Sequence, residues 1–294
     1  MNASLQIQHA RPVVRWRRHP VVKVLRNPVT MLGLLLVVVW LFCGVFAPLV
    51  APYNPDQPNV SAALQAPGIH HLFGTDNYGR DVFSRVVYGA RISIPTSLVA
   101  VAISFGIGVP LGAVAGYYGG TVSAVIMRGM DMLLAFPSLV LAMAIAAAMG
   151  PGLRSAMIAV GIVGVPEYAR LMYGQTMSLR SREFVEASAT FGSTNRAIVM
   201  KHILPNALAP LIVNATIGLG FAILTAASLS FLGLGVQPPT AEWGDMISEG
   251  SQYIVTGDWW MVTFPGLAIA TSTLGFNLLG DGLRDILDPR QSSE

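Results

Sequence analysis

The chain has 294 residues, of which 53% are hydrophobic and only 11% charged. Soluble domains carry about 25% charged residues, so this composition excludes an ordinary soluble globule and selects an all-α, polytopic membrane protein. The single cysteine, Cys43, excludes a disulfide framework and a thiolate metal site.

Residues 1–28 form a basic tail with Arg11, Arg15, Arg17, Arg18, Lys23 and Arg26 and no acid. The run MLGLLLVVVWLFCGVFAPLV follows directly, and residues 29–50 form the first span, because about twenty apolar residues cross the hydrocarbon core. No small-residue cleavage site follows it, so it reads as an uncleaved span rather than a secretory signal. Residues 51–91 form a long outer segment that opens APYNPDQPN, where prolines and asparagines prevent regular structure. It is expected to close with an amphipathic interfacial helix carrying Val82, Phe83, Val86 and Val87 on one face and a charge pair between Asp81 and Arg85. His70, His71, Asp76 and Asp81 match no standard metal spacing and are assigned a structural role, with no metal site.

Residues 92–280 form a five-helix core with spans at 92–117, 132–149, 155–172, 208–232 and 259–279, six in all with the first. Ser104, Gly108, Gly112 and Gly116 recur every four residues and make a strip of small side chains suited to close packing within the chain. Asp131 and Glu167 are the ionisable groups that lipid would penalise; Arg128 and Arg170, three residues away on the same helices, are expected to neutralise them. The outer loop 233–258 contains QPPTAEWGD and ends in DWW, whose tryptophans suit the membrane interface. Residues 281–294 form the C-terminal tail. Fourteen of the 18 Lys and Arg residues fall on one side of this arrangement, which places both termini inside. The net charge of +3 therefore marks membrane orientation and not a nucleic-acid partner.

The five histidines, His9, His19, His70, His71 and His202, all lie in expected loops or tails, and the chain has no HExxH, GxSxG or GxxxxGK[ST] motif. Catalysis by this chain alone is excluded on that reading, as is a cofactor of its own. So little intramembrane charge also argues that the energy for any transport comes from elsewhere.

Against this lipid-facing background, residues 183–210 read EFVEASATFGSTNRAIVMKHILPNALAP. Phe184, Ala187 and Phe191 share a helical face, and Gly192 stands where a left-handed cap belongs. Ser193, Thr194 and Asn195 offer an N-cap for a second helix, 196–204, expected to stop at Pro205. Two helices of roughly 15 Å each, joined by a sharp turn, fit either a partner's groove or an anionic lipid surface.

The positions Glu186, Ala187, Ser188, Gly192, Leu204 and Pro205 resemble the signature of ABC-importer permeases: a Glu-Ala-Ala triplet, a glycine four residues beyond it, and a later Leu-Pro. Ser188 replaces the third alanine, and His202 stands where the general pattern has isoleucine; the ending HILP resembles the peptide and nickel branch. FGTDNYGRDVFSR, RGMDMLLAFPSL, SLSFLGLGVQPPTAEWGDMI and FNLLGDGLRDILDPR extend the resemblance to the second permease of the dipeptide, oligopeptide and nickel importers. The resemblance implies a multi-pass protein of the bacterial inner membrane. It pairs with a homologous permease and two cytoplasmic ATPase subunits that hold ATP and Mg, and receives small peptides from an extracytoplasmic binding protein. Nickel complexes, glutathione and D-dipeptides are alternative cargoes, and a stand-alone secondary transporter or a membrane scaffold are the rival functions. The loop 180–206 is then the coupling loop: Gly192 makes its turn, Glu186 contacts the ATPase or braces the helices, and Pro205 ends the second helix. No substrate-binding residues are assigned by this resemblance.

Overall fold

Asn27 starts the first helix by accepting the backbone N–H groups of Val29 and Thr30 on its side chain, with Pro28 at the position that needs no donor. This computed structural model describes residues 27–287; the basic tail at residues 1–26, and Arg290 with the rest of 288–294, lie outside the described residues. The first helix, α1, spans Pro28–Val45 and is followed by a single turn, Ala47–Val50. Leu35, Val38, Phe42 and Val45 on it are exposed, as a lipid-facing helix requires.

Helix α2 runs from Val82 to Tyr118, 37 residues or about 55 Å. The expected interfacial helix and second span are therefore one continuous element. Asp81 is its N-cap, accepting the Ser84 N–H at 2.8 Å. Its two carboxylate oxygens are taken by Ser84 and His71, and Arg85 turns to Asp76 and Glu249, so the expected pair between Asp81 and Arg85 does not form.

Helices α3 (Gly120–Leu134) and α4 (Ser138–Met149) replace the expected third span and meet at 92°. Pro137 explains the break: the residue before a proline is driven out of the helical region, and Pro137 itself is extended, with ψ 129°. Helix α4, with 12 residues, is roughly 18 Å long and cannot cross a core of about 30 Å alone. Helix α5 covers Leu153–Arg180, α6 Glu183–Thr190 and α7 Asn195–Ile198. A π-helical turn, Val199–Ile203, then leads into α8, Leu204–Phe231; α9 (Trp243–Ser251) and α10 (Trp260–Leu287) complete the described residues. Five helices are long and apolar enough to span, or six with the bent pair. Among the described residues there is no strand, only an isolated bridge between Thr75 and Asp81.

The most extensive packing is between α2 and α5, along the small-residue strip. Ser104 Oγ donates to the Gly161 carbonyl at 2.7 Å, and a Cβ added at Gly108 would lie 2.6 Å from the Val165 carbonyl oxygen. The strip is thus a seam within the chain, where backbones approach more closely than larger residues permit. Met172, Ile198, Ile203 and Leu211 bury one apolar cluster near α6. Val37, Val82, Trp243, Trp260 and Phe276 bury another at the opposite end.

The tryptophans depart from their expected interfacial place. Trp260 is buried and donates its indole N–H to the Thr75 carbonyl at 3.0 Å, and Trp243 donates to the Val86 carbonyl at 2.9 Å. Buried indoles need such a partner, and these two fasten the 51–81 segment and α9 to the bundle. Trp259 alone of the DWW group is half-exposed.

Candidate functional site

The polar loop at residues 180–206 begins where α5 ends at Arg180 and Ser181. Glu183 and Glu186 occupy the first turn of α6, where carboxylates complement the positive end of the helix. The helix closes with both bonds of a Schellman motif: Ser193 N–H donates to the Ser188 carbonyl at 3.1 Å and Gly192 N–H to the Ala189 carbonyl at 3.0 Å. Gly192 has φ +81°, a conformation that side chains resist. Thr194 then caps α7, accepting the Ala197 N–H on its hydroxyl.

Pro205 does not stop the second helix as expected. The helical path continues from Asn195 to Phe231. A proline clashes with the carbonyl four residues back and lacks an N–H; the wider π turn at Val199–Ile203 precedes it and absorbs the misfit. Helix α7 is therefore the tip of the α8 path and not a separate rod.

Of the apolar face expected from the sequence, Phe184, Ala187 and Phe191 are exposed, Phe191 with 89% of its surface and Phe184 with its ring beside that of His202. Val185, Ile198 and Ile203 are the buried anchors instead. Glu186, Ala187, Gly192 and Pro205 are exposed, and Leu204 is half-buried against the core. The two departures from the general signature meet each other: Ser188 Oγ lies 3.2 Å from His202 Nε2 and donates to Ser193 Oγ at 2.9 Å. Tyr117, at the end of α2, donates its hydroxyl to Asn195 Oδ1 at 2.9 Å and carries the Arg180 guanidinium over its ring. A rigid, braced protrusion with an outward apolar edge results.

At the other end lies a buried charge network that the sequence pattern does not reveal, although three of its members, His71, Asp76 and Asp81, are among the residues weighed there as metal ligands. Arg80 Nε meets Asp76 at 2.6 Å and its Nη2 meets Glu249 at 2.8 Å. Arg85, also buried, lies 3.5 Å from Glu249 and 3.6 Å from Asp76, and donates to the carbonyls of Pro55 and Pro239. His71 Nδ1 lies 2.8 Å from Asp81 Oδ1. Burial opposes the charge on Arg80, but the flanking Asp76 and Glu249 outweigh it and raise its pKa. Burial pushes the Glu242 carboxyl upward against the bonds it accepts from the Asp245 and Gly244 backbone, Ser230 and Ser93. Burial, and then repulsion from Glu249 and Glu242, push Asp245 up to about 7 despite Arg85 and Arg80.

The two suspect membrane charges are also arranged differently from expectation. Asp131 pairs with Arg170 across helices at 2.6 Å, not with Arg128 along its own. Glu167 accepts the Asn214 side-chain amide at 3.0 Å and makes no ion pair with Arg170. The side-chain directions that tertiary packing imposes override the three-residue spacing.

Residues 108–293 match the family model of the binding-protein-dependent transport system inner membrane component, and residues 16–67 match the N-terminal TM domain of oligopeptide transport permease C. The dipeptide transport system permease protein DppC of Alkalihalophilus pseudofirmus is 47% identical over 268 residues, 91% of this chain and 88% of that protein. The probable D,D-dipeptide transport system permease protein DdpC of Escherichia coli is 47% identical over 90% of this chain and 88% of its own length. A glutathione transport system permease protein, GsiD, of Escherichia coli is 42% identical over 94% of this chain and 89% of its own. Among solved structures, an inward-facing MetNI methionine ABC transporter superposes with a TM-score of 0.56 over 69% of this chain and 96% of that chain, at 22% identity, a likeness of fold.

Proposed function

The chain belongs to the family of binding-protein-dependent transport system inner membrane components, and on that footing we propose that it is the permease subunit of an ATP-driven importer of small peptides. It works with a second, homologous permease, two cytoplasmic ATPase subunits that hold ATP and Mg, and an extracytoplasmic binding protein that delivers the cargo. The charge bias puts the loop end in the cytoplasm of a bacterial cell and the tryptophan-fastened end outside its inner membrane.

One observation carries the reading: the protrusion holds Phe184 and Phe191 outward on a frame braced by Val185, Ile198 and the Tyr117 to Asn195 bond. A rigid apolar edge on a polar loop suits a groove in another protein. Glu186, Ala187, Ser188 and Gly192 form the contacting helix and its turn, and Leu204 and Pro205 join the loop to the bundle. Because α7, the π turn and α8 follow one path, a push on the loop moves α8 directly, and α5 enters the loop from the other side. Closure of the ATPases then rocks α5 and α8 together and switches the translocation path between inward and outward access, a rigid-body transition between two states.

Reconstitution of the two permeases and two ATPase subunits in vesicles, with the binding protein added, tests this. ATP hydrolysis stimulated by the peptide-loaded binding protein, with peptide uptake, is expected; uptake driven by an ion gradient without the ATPase subunits would overturn it. The D,D-dipeptide permease among the relatives supports the alternative of D-residue cargo, and competition between L- and D-dipeptides for uptake separates the two.

A further inference from the structure

A cavity of about 240 Å³ opens between α2, α4, α5 and α8, lined by Ser104, Ser138, Glu167, Tyr168, Gly218 and Thr225 among others. Glu167 has roughly 20 Å of α5 on either side of it, so its carboxyl sits far from both ends of that helix. It falls within the apolar stretch 155–172 expected to span, where a carboxylate is costly unless it is paired or faces water. Glu167 is exposed in the isolated chain. Its one hydrogen bond comes from the neutral amide of Asn214, and the nearby Arg170 is already committed to Asp131 at 2.6 Å. No ion pair satisfies Glu167 among the described residues.

Two further features of the same cavity look for a ligand. The Tyr168 hydroxyl is buried, with the residue only 3% exposed, and has no hydrogen-bond partner within the chain. Burying a hydroxyl without a partner is unfavourable, and an incoming polar group relieves that cost. Ser138 begins α4, so the unbonded N–H groups and positive end of that helix belong to this wall. The cavity thus offers a carboxylate for a cation, and a hydroxyl with a positive helix end for an anion. That is the charge pattern of a zwitterion, such as a short peptide with free termini.

We propose that this cavity is a binding site on the translocation path, with Glu167 receiving the α-ammonium of a peptide in transit and Tyr168 with the start of α4 facing its carboxylate. The assignment rests on the peptide-importer reading. Seven apolar or small residues, Ala100, Val101, Val160, Val163, Gly164, Phe221 and Ala222, supply much of the remaining wall and leave room for varied side chains. A site built this way grips the termini that every short peptide shares and is indifferent to sequence, as a path downstream of a selective binding protein requires.

The test uses the whole reconstituted complex with wild-type chain, Glu167→Gln, Glu167→Asp and Tyr168→Phe. Initial uptake of a labelled dipeptide, ATP hydrolysis and subunit assembly are measured together. Glu167→Gln keeps the bond to Asn214 and removes only the charge; it is expected to lower peptide taken up per ATP by about tenfold, the scale of one hydrogen bond to a charged group. Glu167→Asp, which keeps the charge, restores uptake to within about threefold, and Tyr168→Phe lowers it about threefold, with assembly unchanged in all. Wild-type uptake by Glu167→Gln overturns the site while leaving the importer reading intact. Loss of subunit assembly in Glu167→Gln assigns the carboxylate to a contact between subunits and also overturns it. A wild-type complex that moves no peptide removes both the site and the reading beneath it.

Discussion

The two ends of this molecule solve opposite problems with the same composition. At the loop end, Phe184, Phe191 and Met200 are exposed on short helices. At the opposite end, which the proposed orientation puts outside, Trp243, Arg85 and Thr75 are wholly buried; side chains from α2 and α10 tie down irregular backbone, and Trp243 ties α9 to α2. The proposed docking segment keeps its apolar edge free, whereas a segment without regular structure must find its hydrogen bonds within its own chain. The contrast separates a surface left open for the proposed partner from one closed by contacts within the chain.

The largest effect in breaking that contrast is expected from Arg85→Ala. It leaves Asp76 and Glu249 partly uncompensated and frees the Pro55 and Pro239 carbonyls. Removing one partner of a buried ion network costs about 3–5 kcal/mol. The purified chain should melt several degrees lower, and limited proteolysis should cut residues 51–81 faster than the 180–206 loop. Equal cutting of the two segments would show that the network does not hold the outer end.

Gly192→Val should act at the loop end alone. At φ +81° a side chain costs about 1–2 kcal/mol, and a β-branched one more. The ATPase subunits should co-purify poorly with this variant while the melting of the bundle stays near wild type; Gly192→Asn, which tolerates the left-handed region, should be milder. Full ATPase recovery with Gly192→Val would show that the turn is not needed for docking.

A smaller effect, confined to the outer end, should appear in the pH dependence. Asp245 has a pKa of about 7 when folded, above its ordinary value of 3.8. The folded state therefore holds a proton that the unfolded state has lost between about pH 4 and pH 7, and stability falls as pH rises through that window. Asp245→Asn should flatten the slope; an unchanged melting profile between pH 5 and pH 7.5 in the two proteins would count against it. Glu186→Ala should be the mildest change, lowering coupled ATP hydrolysis by less than about fivefold because exposed ion pairs contribute little. A total loss there would mean that Glu186 is buried once the partner is bound.

Several features were readable because they depend on neighbours along the chain. Gly192 and the Ser193, Thr194, Asn195 trio form the expected turn, since caps are local chemistry. The strip from Ser104 to Gly116 packs within the chain because four-residue spacing places small residues on one face. Misreadings arose where distant residues compete for a local partner. Asp81 was claimed by its own helix end, Arg85 by Glu249 on α9, and Arg170 by Asp131 on α3. Pro205 signals a stop because proline propensity is local, while a π turn supported by the packing of Ile198 and Ile203 accommodates it.

By itself, the sequence determined that this is a helical membrane protein, which segments are apolar enough to cross, and that one polar loop carries a two-helix turn. Those properties follow from transfer energies, charge and backbone preference, which are additive along the chain. Tertiary structure alone decided that α3 and α4 meet at a right angle, that the outer tryptophans face inward, and that Glu167 and Tyr168 share a cavity with the start of α4. Each of these depends on which groups far apart in the chain come within bonding distance, and no local preference contains that information.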